Sequence, residues 1–345
     1  MSGTSFDGVD AAIIQTDGEN FIKKIETSFI KYSSSERAIY QNSIHSNYKK
    51  ITSIIDNKHK QVIKRILKRF GKKVDIIGLH GQTFFHNPDA GWTWQYINAK
   101  KIMRYFKTNV VSDFRIADIN KGGEGAPLVP IFHKNLILQK NYDLPIGVLN
   151  LGGVSNITIV KNKKDFFGFD TGPGNGPLDL LIYKRLKILM DKNGNIASKG
   201  IVNKNIKDKT LYLLKKNIKS ISFDRNKLDN TCLTYMDSLD IKDALATLID
   251  VITEVIYEKV KKYHLKKIIV TGGGRKNIAF VKRLQDRFTS EVLISENIGL
   301  DGDSLEAEAF GYLAVRSKLG KPFTFKNTTG VSKHTTGGVL FYYNN

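Results

Sequence analysis

After Tyr142-Asp143-Leu144-Pro145 the chain repeats a layout that it has already used once: apolar runs joined by tight polar turns, then alternating helix and strand signals. In the first pass, Gly3 to Gly8 is a small-residue loop and Val9 to Gln15 an apolar run. Asp17-Gly18 reads as a turn, and Phe21 to Tyr32 alternates as a second strand. Positions 35–70 carry helical periodicity through Ile51, Ile54, Ile55, Val62, Ile63, Ile66 and Leu67, closed by Gly71. A buried strand is predicted at Val74 to Leu79, ending in His80-Gly81-Gln82-Thr83. A helix near 98–106, a strand at Val110-Val111 and a loop from Asp113 to Pro130 follow. In the second pass, strands are predicted at Ile146 to Leu151, Ser155 to Val160, Phe166 to Phe169, Lys266 to Thr271 and Val292 to Ser295. Helices are predicted near 176–190, 201–218, 240–263, 277–288 and 303–318. The pattern is α/β, with domains expected at 1–143 and 144–345. In such folds the chemistry gathers at the carboxyl ends of strands. The glycine-rich turns all fall at such ends and are expected to face one interdomain cleft.

Composition narrows the class. Of 345 residues, 41% are hydrophobic and 25% charged, enough apolar chain for sizeable cores and unlike a disordered segment. The single cysteine, Cys232, excludes a disulfide framework and a cysteine-cluster metal site. No apolar run is long enough to span a bilayer. The first residues lack the basic and apolar regions of a signal peptide, so a cytoplasmic protein without a membrane partner is expected. The net charge of +21 raises the question of nucleic acid. The lysines, however, are dispersed in pairs from Lys23-Lys24 to Lys266-Lys267, with no block of five or six. A solvated Lys-rich surface is the expectation, with no nucleic-acid partner.

Several segments carry candidate chemistry. Gly3-Thr4-Ser5-Phe6-Asp7-Gly8 offers backbone N–H groups, hydroxyls and a carboxylate, the equipment of a phosphate loop, with Asp7 placed to hold Mg²⁺ directly or through water. An ordinary hairpin turn would look the same. Asn150-Leu151-Gly152-Gly153-Val154-Ser155-Asn156 is the matching turn of the second half. Asp170-Thr171-Gly172-Pro173-Gly174-Asn175 ends a strand and opens a helix, so Asp170 is either a general base at the strand end or the helix N-cap; the first reading is preferred, and Asp179 is a weaker candidate. Thr271-Gly272-Gly273-Gly274-Arg275-Lys276-Asn277 suits a flat ligand such as adenosine passing close to the backbone. Asp303-Ser304-Leu305-Glu306 has the form of a capping box, which by itself accounts for Glu306. His80-Gly81-Gln82-Thr83 and Asp113-Phe114-Arg115-Ile116-Ala117-Asp118 crowd polar groups behind strands, and an Arg there suits a substrate carboxylate. His80 is equally readable as a structural histidine. No spacing supports a zinc site or a Ser-elbow hydrolase.

Taken in order, residues 1–10, 80–83, 113–118, 122–130, 150–156, 170–175, 272–274 and 306–310 resemble the anhydro-N-acetylmuramic acid kinase family, over essentially the whole chain. The resemblance implies two ribonuclease-H-like domains of the actin, hexokinase and Hsp70 type around an interdomain cleft. It implies ATP and Mg²⁺ as cofactors, and a reaction that hydrolyses and phosphorylates 1,6-anhydro-N-acetylmuramic acid to N-acetylmuramic acid 6-phosphate in cell-wall recycling. Asp170 matches the family's catalytic base and Glu306 a glutamate that helps place water or sugar. The ATP set is Gly3, Thr4, Ser5, Phe6, Asp7, Gly8, Val9, Asp10, Gly152, Gly153, Gly272, Gly273, Gly274 and Asn277. The sugar set is His80, Gln82, Arg115, Asp118 and Asn175, with Arg115 assigned to the lactyl carboxylate on charge alone. The partners implied are the sugar and ATP, and a homodimer stays open.

Three departures from the family pattern stand out. The family has a first strand ahead of Met-Ser-Gly-Thr-Ser, so the loop after Met1 is expected to be loose. Glu124 stands where the family commonly has Gln, and Asn98-Ala99 replaces a usual Gly-Asp. The alternatives are another sugar kinase or ATPase of the same superfamily, or a catalytically weak sugar sensor or nucleic-acid binder that keeps the fold.

Overall fold

The computed structural model describes residues 1–3, 6–43, 48–217 and 225–344. They form two compact units, Met1–Asn141 with Ser304–Asn345, and Tyr142–Asp303. The second domain expected at 144–345 is thereby corrected: the chain from Ser304 onward belongs with the first unit, because its helix and last strand pack there.

In the first unit, β1 (Gly8–Thr16) and β2 (Ile22–Lys31) pair antiparallel, with a bulge between Ile13 and Ile14. Helices α1 (Ser34–Ser43) and α2 (Tyr48–Phe70) follow, where one continuous periodic stretch was expected; the interval between them lies outside the described residues. The apolar stripe of α2 buries Ile51, Ile55, Val62, Ile63 and Ile66, each fully buried side chain contributing about 2 kcal/mol of transfer free energy. Only Ile77–Gly78 of the predicted strand near 74–79 pairs, as β3. Gln82 instead opens a hairpin of β4 (Gln82–Asn87) and β5 (Trp92–Tyr96), whose Phe84 packs at 5.0 Å on Trp94. Next come α3 (Ala99–Phe106), β6 (Val110–Ser112), α4 (Ile116–Ile119) and α5 (Pro130–Gln139). Asn98 N-caps α3 through a 3.0 Å bond from Lys101 N.

The second unit holds one mixed sheet, in the order β11-β10-β7-β8-β9. Strands β7 (Ile146–Leu151), β8 (Val154–Val160) and β9 (Phe166–Pro173) form an antiparallel meander, and β10 (Lys267–Thr271) runs parallel to both β7 and β11 (Glu291–Ile294). β7 is apolar on both faces, as a covered central strand must be. Helices α6 (Gly176–Leu186), α7 (Lys204–Asn217), α8 (Arg225–Leu233), α9 (Ile241–Val260) and α10 (Ile278–Arg287) cover it. Asp240 caps α9, whose Leu245, Leu248, Ile249, Ile252 and Ile256 enter the core beside Leu149, Ile157 and Ile268.

The chain then re-enters the first unit as α11 (Leu305–Lys318), α12 (Lys326–Thr329) and β12 (Val339–Phe341). β12 pairs antiparallel with β6, giving the sheet β12-β6-β3. α11 packs on both β1 and β3. A Cβ on Gly78 would run into the Phe310 carbonyl, so glycine is what lets β3 lie against this helix. Among the described residues no helix is long and apolar enough to cross a membrane.

Candidate active site

In the second unit, three glycine turns meet at one edge of the sheet. Strand pairing sets Thr271 opposite Asn150 and Asp170 opposite Asn156, so the exits of β7, β9 and β10 share that edge. The Asp170–Asn175 segment is zipped to the first turn by main-chain bonds. Gly174 N and Gly176 N donate to Gly153 O at 3.1 and 3.2 Å, and Asn175 N donates to Gly152 O at 2.6 Å. Gly272 has φ 75°, and a Cβ there would lie 2.8 Å from the Leu151 carbonyl oxygen; only glycine permits both.

Asp170 is a strand residue, half-buried, and does not cap α6. The helix starts at Gly176 with Asn175 at the cap position and Pro177 in the first turn, so the capping reading of Asp170 fails. Lys259, near the end of α9, donates its Nζ to the Asp170 carbonyl at 3.2 Å. Burial lowers the Lys259 ammonium pKa, and the Asp170 charge opposes that. Asn175 Nδ2 holds Asp179 Oδ1 at 2.9 Å, which ties Asp179 to the loop. Asn277 spends its side-chain oxygen capping α10, 3.1 Å from Phe280 N. Its side chain therefore fixes the helix that follows the triple glycine.

In the first unit, Thr4 and Ser5 lie outside the described residues. Around them, Phe6 adopts φ 49° and stacks between Tyr32 and Tyr40, with ring centroids 3.9 and 4.0 Å away. Val9 is fully buried and Phe6 nearly so, which leaves neither side chain open to a ligand. A Cβ on Gly8 would collide with the Phe29 ring. Asp7 is exposed, with Oδ1 accepting from Gly8 N at 3.0 Å; Asp10 N donates to Met1 O at 2.9 Å. Gln82, fully buried, braces this loop: its Oε1 accepts from Ser2 Oγ at 2.5 Å, and its Nε2 donates to Gly3 O at 3.2 Å.

Arg115 stands at the start of α4. Its Nη1 donates to Gly125 O at 2.7 Å, while Nε and Nη2 donate to His80 Nε2 at 3.1 and 3.0 Å. Because guanidinium only donates, His80 Nε2 is unprotonated and Nδ1 carries the hydrogen that reaches Gly81 O at 3.1 Å. Burial, then the Arg115 charge, holds the His80 pKa well below the usual range. Asp118, fully buried, accepts from Gly125 N and from Thr329 Oγ1, both at 2.7 Å, and so pins the Gly122–Gly125 loop. A Cβ on Gly123 would strike this carboxylate. In the same loop Glu124 Oε2 is buried without a hydrogen-bond partner. Burial, with Asp89 and Asp118 nearby, raises the Glu124 carboxyl pKa.

Glu306 occupies the first turn of α11. The helix N-cap is Ser304, whose hydroxyl donates to Glu308 Oε1 at 2.7 Å, so the capping box expected of Asp303 and Glu306 is absent. Glu306 is recessed among protein atoms yet open to solvent on one side. Desolvation raises its carboxyl pKa, and the Arg115 charge opposes that rise. His80, Arg115, Asp118 and Glu306 thus gather in one neighbourhood of this unit. Sequence reasoning missed Lys259, Thr329 and Arg275, whose side chains complete these sites through contacts distant in the chain. Among the described residues no group of three or more His, Cys, Asp or Glu could hold a metal ion.

The anhydro-N-acetylmuramic acid kinase from Pelagibacter ubique (strain HTCC1062) is 38% identical, covering 99% of this chain and 96% of its own length. The anhydro-N-acetylmuramic acid kinase from Zymomonas mobilis subsp. mobilis is 36% identical, covering 99% and 98%. Among solved structures, the activator of the 2-hydroxyisocaproyl-CoA dehydratase from Clostridium difficile with bound ADPNP aligns at 9% identity over 89% of this chain and 94% of that one, with a TM-score of 0.46. The family model described as anhydro-N-acetylmuramic acid kinase matches residues 1–343. The chain belongs to the anhydro-N-acetylmuramic acid kinase family.

Proposed function

We propose that this chain uses ATP to open and phosphorylate 1,6-anhydro-N-acetylmuramic acid, releasing N-acetylmuramic acid 6-phosphate and ADP, as a cytoplasmic step of cell-wall recycling. The observation that carries the reading is the full-length family match together with Asp170, which sits on a strand of the glycine-turn edge and is not used as a cap. The fold proposed is the pair of ribonuclease-H-like units of the actin and hexokinase type. Each unit offers strands joined by tight turns, then alternating helix and strand.

In the proposed reaction the Asp170 carboxylate accepts a proton from water as the water oxygen bonds to the anomeric carbon. The C1–O6 bond breaks, and O6 attacks the γ-phosphorus of ATP, from which ADP departs. Glu306 helps place water or sugar; its raised pKa and recessed setting suit a carboxyl that exchanges hydrogen bonds with a hydroxyl. Arg115, held in orientation by His80 and Gly125, receives the lactyl carboxylate. His80, Gln82, Asp118 and Asn175 support the sugar side by fixing the loops around it.

The nucleotide is assigned to Gly3–Asp10, Gly152–Gly153 and the Gly272–Gly274 turn, through backbone groups, with Asn277 holding the helix after the last turn. Mg²⁺ fits as an ion that arrives with ATP, because it favours one or two carboxylates plus phosphate oxygens over an all-protein cage, and Asp7 presents an exposed carboxylate. When bound it would supply charge neutralisation at the phosphates.

An ADP-release assay with Mg-ATP tests this reading, offering 1,6-anhydro-N-acetylmuramic acid in one arm and N-acetylmuramic acid in the other. Turnover of the anhydro sugar alone is expected. Turnover of the free sugar alone would favour an ordinary sugar kinase, and turnover of neither would defeat the reading.

A further inference from the structure

The three glycines of the 272–274 turn do not share one environment. A Cβ on Gly274 would lie 2.7 Å from Leu151 Cβ, and one on Gly272 would meet the Leu151 carbonyl, so both are pressed on β7. A Cβ on Gly273 would find nothing within 4 Å, and the residue is exposed. The turn has one face fastened to the sheet and one face open.

A single buried cation does the fastening from outside. Arg275 is 5% exposed. Its Nη1 donates to Gly272 O at 2.9 Å and to Asp303 Oδ1 at 3.0 Å, and its Nε donates to Glu296 Oε1 at 2.8 Å. Glu296 Oε2 in turn accepts from Ser295 Oγ at 3.0 Å, and Lys276 Nζ lies 2.7 Å from Asp303 Oδ2. A Cβ on Gly302 would strike the guanidinium, so the 295–303 loop is moulded around it. Burying the guanidinium adds little net stability, because its desolvation offsets most of the attraction to the two solvent-facing carboxylates. What a planar fork with three anchored sides does supply is orientation.

We infer that Arg275 is a positioning residue for the nucleotide: it fixes the Gly272 carbonyl and the 295–303 loop so that the open face at Gly273 keeps the shape that receives the adenosine end of ATP. The inference rests on the ATP-binding reading above. A lysine at this position could satisfy one carboxylate but could not bridge Gly272, Glu296 and Asp303 at once.

The test is calorimetric titration of the full chain with AMPPNP in the presence of Mg²⁺, comparing wild type, Arg275→Lys and Asp303→Asn, followed by KM for each substrate. Both variants are expected to bind AMPPNP about tenfold more weakly, the loss typical of one charge-assisted anchor. The KM for ATP should rise in step while the KM for the anhydro sugar stays within about twofold, a split that general loosening of the fold would not produce. If Arg275→Lys does not fold, Asp303→Asn decides, since that carboxylate is 55% exposed and the buried guanidinium keeps Glu296 as its ion-pair partner. AMPPNP affinity within twofold of wild type in the folded variants, or equal rises in both KM values, would overturn the inference. A wild type that binds no AMPPNP but turns over sugar would overturn the nucleotide assignment and this inference with it. A wild type that binds AMPPNP but ignores the anhydro sugar would strike only the proposed reaction.

Discussion

Lys259 donates its Nζ to the main-chain carbonyl of Asp170 at 3.2 Å, which brings an ammonium from the end of α9 to the strand residue assigned as base. The pairing is mutual, since the Asp170 charge raises a lysine pKa that burial lowers.

Replacing Asp170 by Asn should leave AMPPNP binding nearly intact and cut turnover by about 10² or more, the loss expected for a positioned base. Lys259→Met removes a neighbouring positive charge, so the carboxylate becomes harder to ionise. The acidic limb of the kcat/KM profile should then move to higher pH by about half a unit to one unit. An unmoved limb would detach Lys259 from the chemistry.

Arg115→Ala should raise the KM for the anhydro sugar by about tenfold or more, with the KM for ATP unchanged. His80→Leu deprives two guanidinium donors of their acceptor and should raise the same KM by a smaller factor. Steady-state kinetics with each substrate varied separately would check both. A normal sugar KM in Arg115→Ala would remove this residue from the site.

Gly273→Ala isolates ligand fit from folding. The added methyl meets no protein atom, and the backbone there needs no left-handed conformation, so melting temperature should stay within about a degree or two of wild type. The KM for ATP should nevertheless increase severalfold. Unchanged ATP kinetics would mean that the nucleotide does not pass over the open face.

Four histidines of the first unit, three buried and His86 half-buried, are held neutral: burial depresses His59 to about 3 and His86 and His133 to about 4, and holds His80 well below its ordinary value. Each folded pKa lies below the unfolded value near 6.5. The unfolded chain therefore takes up protons first as pH falls. The stabilisation is fully present above about pH 6.5 and is lost below it, by about 1.4 kcal/mol per pH unit for each histidine until its folded pKa is reached. Denaturant melts followed from pH 7.5 to 5 should show steep loss in the first unit, and a flat profile would contradict neutral burial.

Much of this was legible along the chain. The strand-and-turn openings of both halves, the α/β class and the glycine turns follow from local patterning, because turns and buried strands are written in a few adjacent residues. Cap positions were less secure: Asn175, not Asp170, starts α6, and Ser304, not the Asp303–Glu306 pair, starts α11. Acidic and hydroxyl residues cluster near both starts, and capping grammar does not say which is chosen. The β4–β5 hairpin was missed because its core is aromatic contact across strands. The roles of Arg275, Lys259 and Thr329 come from partners tens or hundreds of residues away. No local pattern marks them, and none announces that the chain returns to its first unit after Asp303.

In the second unit every strand is joined to the next by a hydrogen-bonded ladder, but β1-β2 and β12-β6-β3 are separate ladders among the described residues. What joins them is side-chain packing, through a shared apolar cluster and through α11, which lies on both β1 and β3. A ladder fails one rung at a time, whereas a packed helix shifts as a rigid bar. Glu306 rides on that bar. A small slide of α11 would therefore carry the carboxylate along without breaking a single inter-strand bond, leaving its placement answerable to whatever ligand presses on β1.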